Sequence, residues 1–178
     1  MKRMLKQGDI APAISTLDLW DKKINVPTQE KWVYLTFHRF AACPFCNLRT
    51  NELIRHYDSF EKNNLEIISI WPSDKENLLR YVGSKKSPFP LLSDKDKTIY
   101  KSYCVTESSF VGAIKLLLHP RLIMNAVKQK PKDIEIDGDL NLMPASFLVD
   151  ASGIIQMAYY GKHYGDHPSI EYIFKNIK

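Results

Sequence analysis

The 178-residue chain has few thiols, only Cys43, Cys46 and Cys104. Three cysteines do not make the bridge framework of a small secreted domain, so a buried core must hold the fold. There is one CxxC and no second, which removes the usual four-sulfur zinc arrangement. No apolar run approaches a membrane span, and none follows the basic start MKRMLKQGDI as a signal peptide requires. A cytoplasmic protein without a transmembrane segment is therefore the expectation. Repeats and low-complexity tracts are also missing. Charge of one sign is not in large excess: 25 basic and 20 acidic residues leave +5, too mild to indicate a nucleic-acid partner. A hydrophobic content of 44% and a charged content of 25% are ordinary for a globular chain, and the length suits a single domain over residues 1–178.

What is present centres on WVYLTFHRFAACPFCNLRTNELIRHYDSF, residues 32–60. Trp32 to Phe37 is a short aromatic and β-branched run that suits a buried strand. Leu48, Leu53, Ile54, Tyr57 and Phe60 recur at the spacing of one helix face. Between them stands Cys43-Pro44-Phe45-Cys46. This order puts both sulfurs in the first turn of a helix, where unpaired amides and the helix dipole favour a thiolate. Pro44 suits the first helical position. The spacing predicts Cys43 at the N-cap, exposed and nucleophilic, with Cys46 less exposed and able to resolve a mixed disulfide. His38 and Arg39, at the strand end, could lower a thiol pKa by their charge, or could simply face solvent.

Farther along, Ile14 to Leu19 and Lys22 to Val26 read as two strands joined at Asp21-Lys22. Leu65 to Trp71 reads as a second buried strand parallel to the first. A helix capped at Ser73 or Asp74 runs to Tyr81, and a short one holds Ile99, Tyr100 and Tyr103. Ala145 to Asp150 and Ile154 to Tyr160 form a hairpin around Gly153, and 168–177 closes as an amphipathic helix. Residues 105–140 break this alternation and read as a helical insertion interrupted at Pro120. From Ser108 to Lys132 it carries five basic residues and no acidic one. It could be packed helices, a lid over the dithiol, a homodimer face or a surface for anionic lipid. Cys104 reads as a small buried residue or a second resolving thiol. His163, Asp166 and His167 read as a polar loop and cap, or as ligands beside a cysteine pair.

Several of these stretches together resemble the peroxiredoxin-like branch of the alkyl hydroperoxide reductase/thiol-specific antioxidant (AhpC/TSA) family. They are Gly8-Asp9-Ile10-Ala11-Pro12, the strand into Cys46, Phe89-Pro90-Leu91-Leu92-Ser93-Asp94 and Ser146-Phe147-Leu148-Val149-Asp150 with Gly153. Tyr160-Gly161-Lys162 and Gly165-Asp166-His167 extend the likeness. The resemblance implies an α/β, thioredoxin-like fold, with a central mixed β-sheet flanked by helices and the insertion at about 105–140. The family's reactive pattern is Pro-x-x-x-Thr-x-x-Cys with a distant arginine. Cys46 falls at its cysteine, Cys43 at its threonine, Arg39 near its proline and Pro144 at its arginine. Arg39, Arg49 or Arg121 could supply the missing guanidinium in space.

CPFC is also similar to the C-P-aromatic-C of glutaredoxins, and Met143-Pro144 takes the place of the cis-proline of thioredoxin-fold oxidoreductases. This implies a substrate-facing set of Pro44, Phe45, Met143 and Pro144, with a cis bond at Pro144 and the Met143 backbone pairing with substrate. The expected function is a thiol-disulfide oxidoreductase with Cys43 attacking and Cys46 resolving. It would act on protein or small-molecule disulfides, with electrons from a thiol protein or glutathione, no bound cofactor and no metal. A thiol peroxidase acting on hydroperoxides through Cys46 is the alternative. A partner-binding or zinc-holding module is the non-enzymatic one.

Overall fold

The computed structural model describes residues 3–83, 86–106, 115–128 and 133–177. Strands β1 (Ile14–Leu17) and β2 (Lys23–Val26) form the expected antiparallel hairpin. Strand β3 (Trp32–Phe37) lies at the centre of a five-stranded mixed sheet. Next to it in parallel is β4 (Leu65–Trp71), followed in parallel by β5 (Leu91–Ser93). On the other side, β6 (Ala145–Val149) and β7 (Ile155–Tyr160) complete the sheet as an antiparallel hairpin. The β3 run is apolar except for Thr36 because both of its faces are covered, as happens in the parallel part of a sheet.

Side chains alternate across the sheet. Val33, Leu35 and Phe37 face a core shared with Ile14, Ile24, Tyr100 and Tyr103. Tyr34 faces the opposite core, with Cys46, Leu53, Phe60 and Trp71. That second face carries α1 (Pro44–Arg55) and α2 (Tyr57–Lys62). One continuous helix was expected here. His56 instead leaves the helical region (φ −101°, ψ 7°), and Phe60 then packs on Tyr34 and Phe174. Helix α3 (Lys75–Tyr81) begins at Asp74, whose carboxylate accepts from the Asn77 amide. Helix α4 (Thr98–Ser102) follows β5, and α6 (Ile170–Lys175) closes the chain behind the Ser169 cap.

Of the expected insertion, residues 107–114 and 129–132 lie outside the described residues. Within the rest, the chain is helical at 115–116, turns at Leu117-Leu118, and starts α5 (Pro120–Lys128) at the proline. Pro120 thus begins a helix, where its missing amide costs no bond. Helix α5 packs on α1 with Ala126 buried. Among the described residues, no helix is long and apolar enough to cross a membrane.

The Tyr34 face of β3 continues into His38, which is fully buried and stacks on Trp71 at 4.0 Å. His167 approaches it at 5.8 Å. None of the four ring nitrogens has a described protein partner. Burial first, and then the Arg49 charge, lower the His38 pKa to about 3 and hold His167 well below its usual range. Both readings of His38, a charge that helps a thiolate and a residue that faces solvent, are therefore corrected: a buried, stacked imidazole stays neutral.

The unfolded chain binds protons on these histidines below about pH 6.5, whereas the folded chain does not bind one at His38 until about pH 3. Stability is thus unaffected by His38 above pH 7 and falls as the pH drops through that window, by about 1.4 kcal/mol per pH unit. Urea unfolding at pH 7, 6 and 5 should show His38→Phe, which keeps the stack, losing that part of the slope. Equal slopes in both proteins would mean that folded His38 is charged.

Candidate active site

Helix α1 begins as its sequence requires. Cys43 is the N-cap in extended conformation (φ −62°, ψ 119°), and Pro44 opens the first turn. The loop before it is braced from several directions. The Tyr100 hydroxyl donates to the His38 carbonyl at 2.6 Å. The Ala41 amide donates to Ser73 Oγ, which in turn donates to Asp137. Asn47 Nδ2 donates to the carbonyls of Ala41 and Cys43. Gly138 lies so close that a Cβ there would sit 2.8 Å from the Arg39 carbonyl oxygen.

Both sulfurs are reduced and wholly buried, so the expectation of an exposed Cys43 is corrected. The Arg39 side chain lies against it and is itself held by a ring far along the chain. Arg39 Nη1 lies 3.6 Å from Cys43 Sγ, and the guanidinium lies over the Tyr164 ring at 3.8 Å. Arg39 also donates from Nε to the Leu142 carbonyl at 3.0 Å and from Nη2 to Leu140. Its own backbone amide donates to Cys46 Sγ at 3.3 Å. Of the three candidate arginines, this is the one placed against a sulfur. Arg49 instead reaches the Tyr34 hydroxyl and Glu52, and Arg121 is exposed on α5.

Burial pushes the Cys43 thiol up, but more pulls it down: a hydrogen bond from Cys46, the Arg39 charge, and the amides of Cys46 and Phe45. Its pKa comes to about 7. Cys46 is pushed well up, by burial first and then by its bond to Cys43 and the charge there. The pair therefore shares one negative charge, held on Cys43, with the Cys46 proton bridging to it. The site is set up for a thiolate nucleophile with a protonated sulfur beside it.

The remaining candidates divide. Pro44 and Phe45 are half-buried, and Phe45 lines a cleft of about 400 Å³ with Arg49, Arg55, Leu122, Asn125 and His167. The Met143–Pro144 bond is trans; among the described residues the one cis peptide is Val26–Pro27. Met143 donates its amide to the Thr106 carbonyl, and the Pro144 carbonyl accepts from Gly161 as the chain enters β6. The expected substrate platform is thus an ordinary strand entry, with the Met143 amide already engaged. Cys104 is buried, and its thiol donates to the Arg3 carbonyl. Glu52 is salt-bridged to Arg49. Among the described residues, no group of three or more His, Cys, Asp or Glu could hold a metal ion. Sequence reasoning missed Tyr164 and the His38–His167 pair.

With this geometry in place, the chain can be compared with known proteins. The model of the AhpC/TSA family matches residues 7–158. A Buchnera aphidicola protein that carries the name peroxiredoxin bcp is 26% identical over 98% of this chain and 96% of its own. Peroxiredoxin Bcp of Escherichia coli is 31% identical over 61% of this chain and 70% of its own. The crystal structure of peroxidoxin BcpB from Mycobacterium tuberculosis superposes with a TM-score of 0.72, covering 99% of both chains at 13% identity. That likeness gives the fold: thioredoxin-like, as the sheet order above describes.

Alkylation of Cys43 by iodoacetamide should rise with pH through a midpoint near 7 and level off above it. Arg39→Gln removes the cation and should move that midpoint up, slowing reaction at pH 7 by roughly tenfold for each unit. Arg39→Lys should recover part of the shift. A midpoint that ignores both substitutions would show that the guanidinium does not act on the sulfur.

Proposed function

The chain belongs to the AhpC/TSA family of thiol-dependent oxidoreductases, and within it we propose a dithiol peroxidase in which Cys43 attacks a hydroperoxide and Cys46 resolves the product. The observation that carries this reading is the Arg39 guanidinium against a buried Cys43 sulfur of depressed pKa. A fully buried sulfur can meet a two-oxygen oxidant more readily than the disulfide of another folded protein. The guanidinium that steadies the thiolate is also placed to donate toward the leaving oxygen as charge develops on it.

The Cys43 thiolate attacks the distal oxygen of ROOH, the O–O bond breaks, and the pair leaves on the alkoxide, which takes a proton from solvent to give ROH. Cys43 is now a sulfenic acid. The Cys46 sulfur attacks it, an S–S bond forms, and hydroxide leaves with the Cys46 proton as water. A thiol protein or glutathione then returns two electrons by exchange with the disulfide. For that step the residues that bury Cys43 must yield.

A second reading is favoured by one observation: Cys46 occupies the family's cysteine position and accepts the Arg39 amide at 3.3 Å. There, Cys46 attacks and Cys43 resolves. Its raised pKa weighs against it.

Stopped-flow mixing with hydrogen peroxide separates the two. Fast oxidation should vanish in Cys43→Ser and persist in Cys46→Ser, which should stop at a sulfenic acid that dimedone labels. Arg39→Met should slow the peroxide step by roughly a hundredfold. Loss of fast oxidation in Cys46→Ser alone would transfer the nucleophile's role to Cys46. No fast oxidation in the parent protein would end the peroxidase reading.

A further inference from the structure

Four of the twelve large apolar side chains that are exposed among the described residues fall within Leu117–Val127. Leu117 and Leu118 are 71% and 77% exposed at the turn before α5, and Met124 and Val127 are 57% and 63% exposed on its outer side. The inner side of the helix is already used. Ala126 is buried, Leu122 and Ile123 are half-buried, and Leu122 packs beside Gly165 at the edge of the Phe45 cleft. The outer side is therefore left exposed by the packing of the described residues.

Its charge has one sign. Lys115 precedes the leucine turn, while Arg121 and Lys128 stand at either end of the helix, all three exposed. None forms an ion pair among the described residues. The sequence from Ser108 to Lys132 adds Lys130 and Lys132 and no carboxylate. Apolar side chains flanked by bases with long aliphatic stems match the boundary of a bilayer: the leucines enter the acyl region and the cations stay at the headgroups.

We propose that Lys115–Lys128 is a docking surface for an anionic lipid membrane. A second copy of the chain fits the charge badly, since an isologous contact would set bases against bases. An acidic protein would match the charge alone, whereas two adjacent leucines, 71% and 77% exposed at a turn among bases, call for an apolar and an anionic medium together, which the bilayer boundary supplies. Docking there would place the Phe45 cleft, on the other side of α5, close to the lipid surface. The surface stands whether or not Cys43 reduces peroxide.

The full chain should co-sediment with vesicles of phosphatidylcholine containing about one-third phosphatidylglycerol, and not with phosphatidylcholine alone. Each of Lys115→Gln, Arg121→Gln and Lys128→Gln should weaken binding about fivefold, and added salt should weaken it further. Leu117→Asp with Leu118→Asp should abolish binding while leaving the circular dichroism spectrum and peroxide reaction in solution unchanged. No binding to anionic vesicles overturns the proposal, as does binding that the leucine pair does not affect or that ignores lipid charge. It is also overturned if sedimentation finds a dimer that the leucine pair dissolves, or if polyglutamate binds where vesicles do not.

Discussion

The site depends on one buried contact, the guanidinium of Arg39 against the sulfur of Cys43. Neither group would be cheap to bury alone. An isolated cation loses its hydration, and a lone thiolate is driven to protonate. Together, away from water, each offsets much of the other's penalty, and the low local dielectric strengthens their attraction. The carbonyls of Leu140 and Leu142 take the other guanidinium donors and hold the fork in place. Arg39 therefore ties the segment before β6 to the loop before α1.

That loop is fixed largely by remote residues. Tyr100 comes from α4, Ser73 from the end of β4, Asp137 and Gly138 from the segment before β6, and Tyr164 from the chain after β7. The carboxyl ends of β3 and β4 bring these together, the usual location for a site in an open sheet of this kind. The helix cap makes a thiolate favourable in general. Distant parts of the chain decide where the guanidinium points.

The division between local and remote causes explains what could be read from sequence. The β3 run, the Pro44 helix start, the Asp74 cap and the β6–β7 hairpin follow from neighbouring residues, and all are found. The thioredoxin-like sheet follows from the family pattern. Exposure at Cys43 did not follow, because the Arg39 side chain lies against it and is held by Leu140, Leu142 and Tyr164, all far along the chain. His38 looks like a charged strand-end residue until Trp71 is seen stacked on it. Met143-Pro144 carries the right residues for a substrate platform, but Thr106 already holds the Met143 amide. Arg39 was one of three arginines that could replace the family's missing guanidinium, since spacing along a chain does not say where a long side chain ends.

The hydrogen bond between the two sulfurs, with the Arg39 contact beside it, puts the charge on Cys43. Position in the helix alone would not, because the dipole acts on both cysteines within one turn. The Arg39 charge lowers both pKa values, yet the second ionisation is opposed by the first. Two sulfurs in hydrogen-bond contact thus lose their protons in two widely separated steps that belong to the pair. The first leaves the anion on Cys43, where the guanidinium and the amides of Phe45 and Cys46 converge. The second proton stays on Cys46 and is carried away with the departing hydroxide when the disulfide closes. A CxxC helix of this sequence on a scaffold without Arg39 would keep the Cys46 bond and the helix amides but lose the cation that lowers both sulfurs.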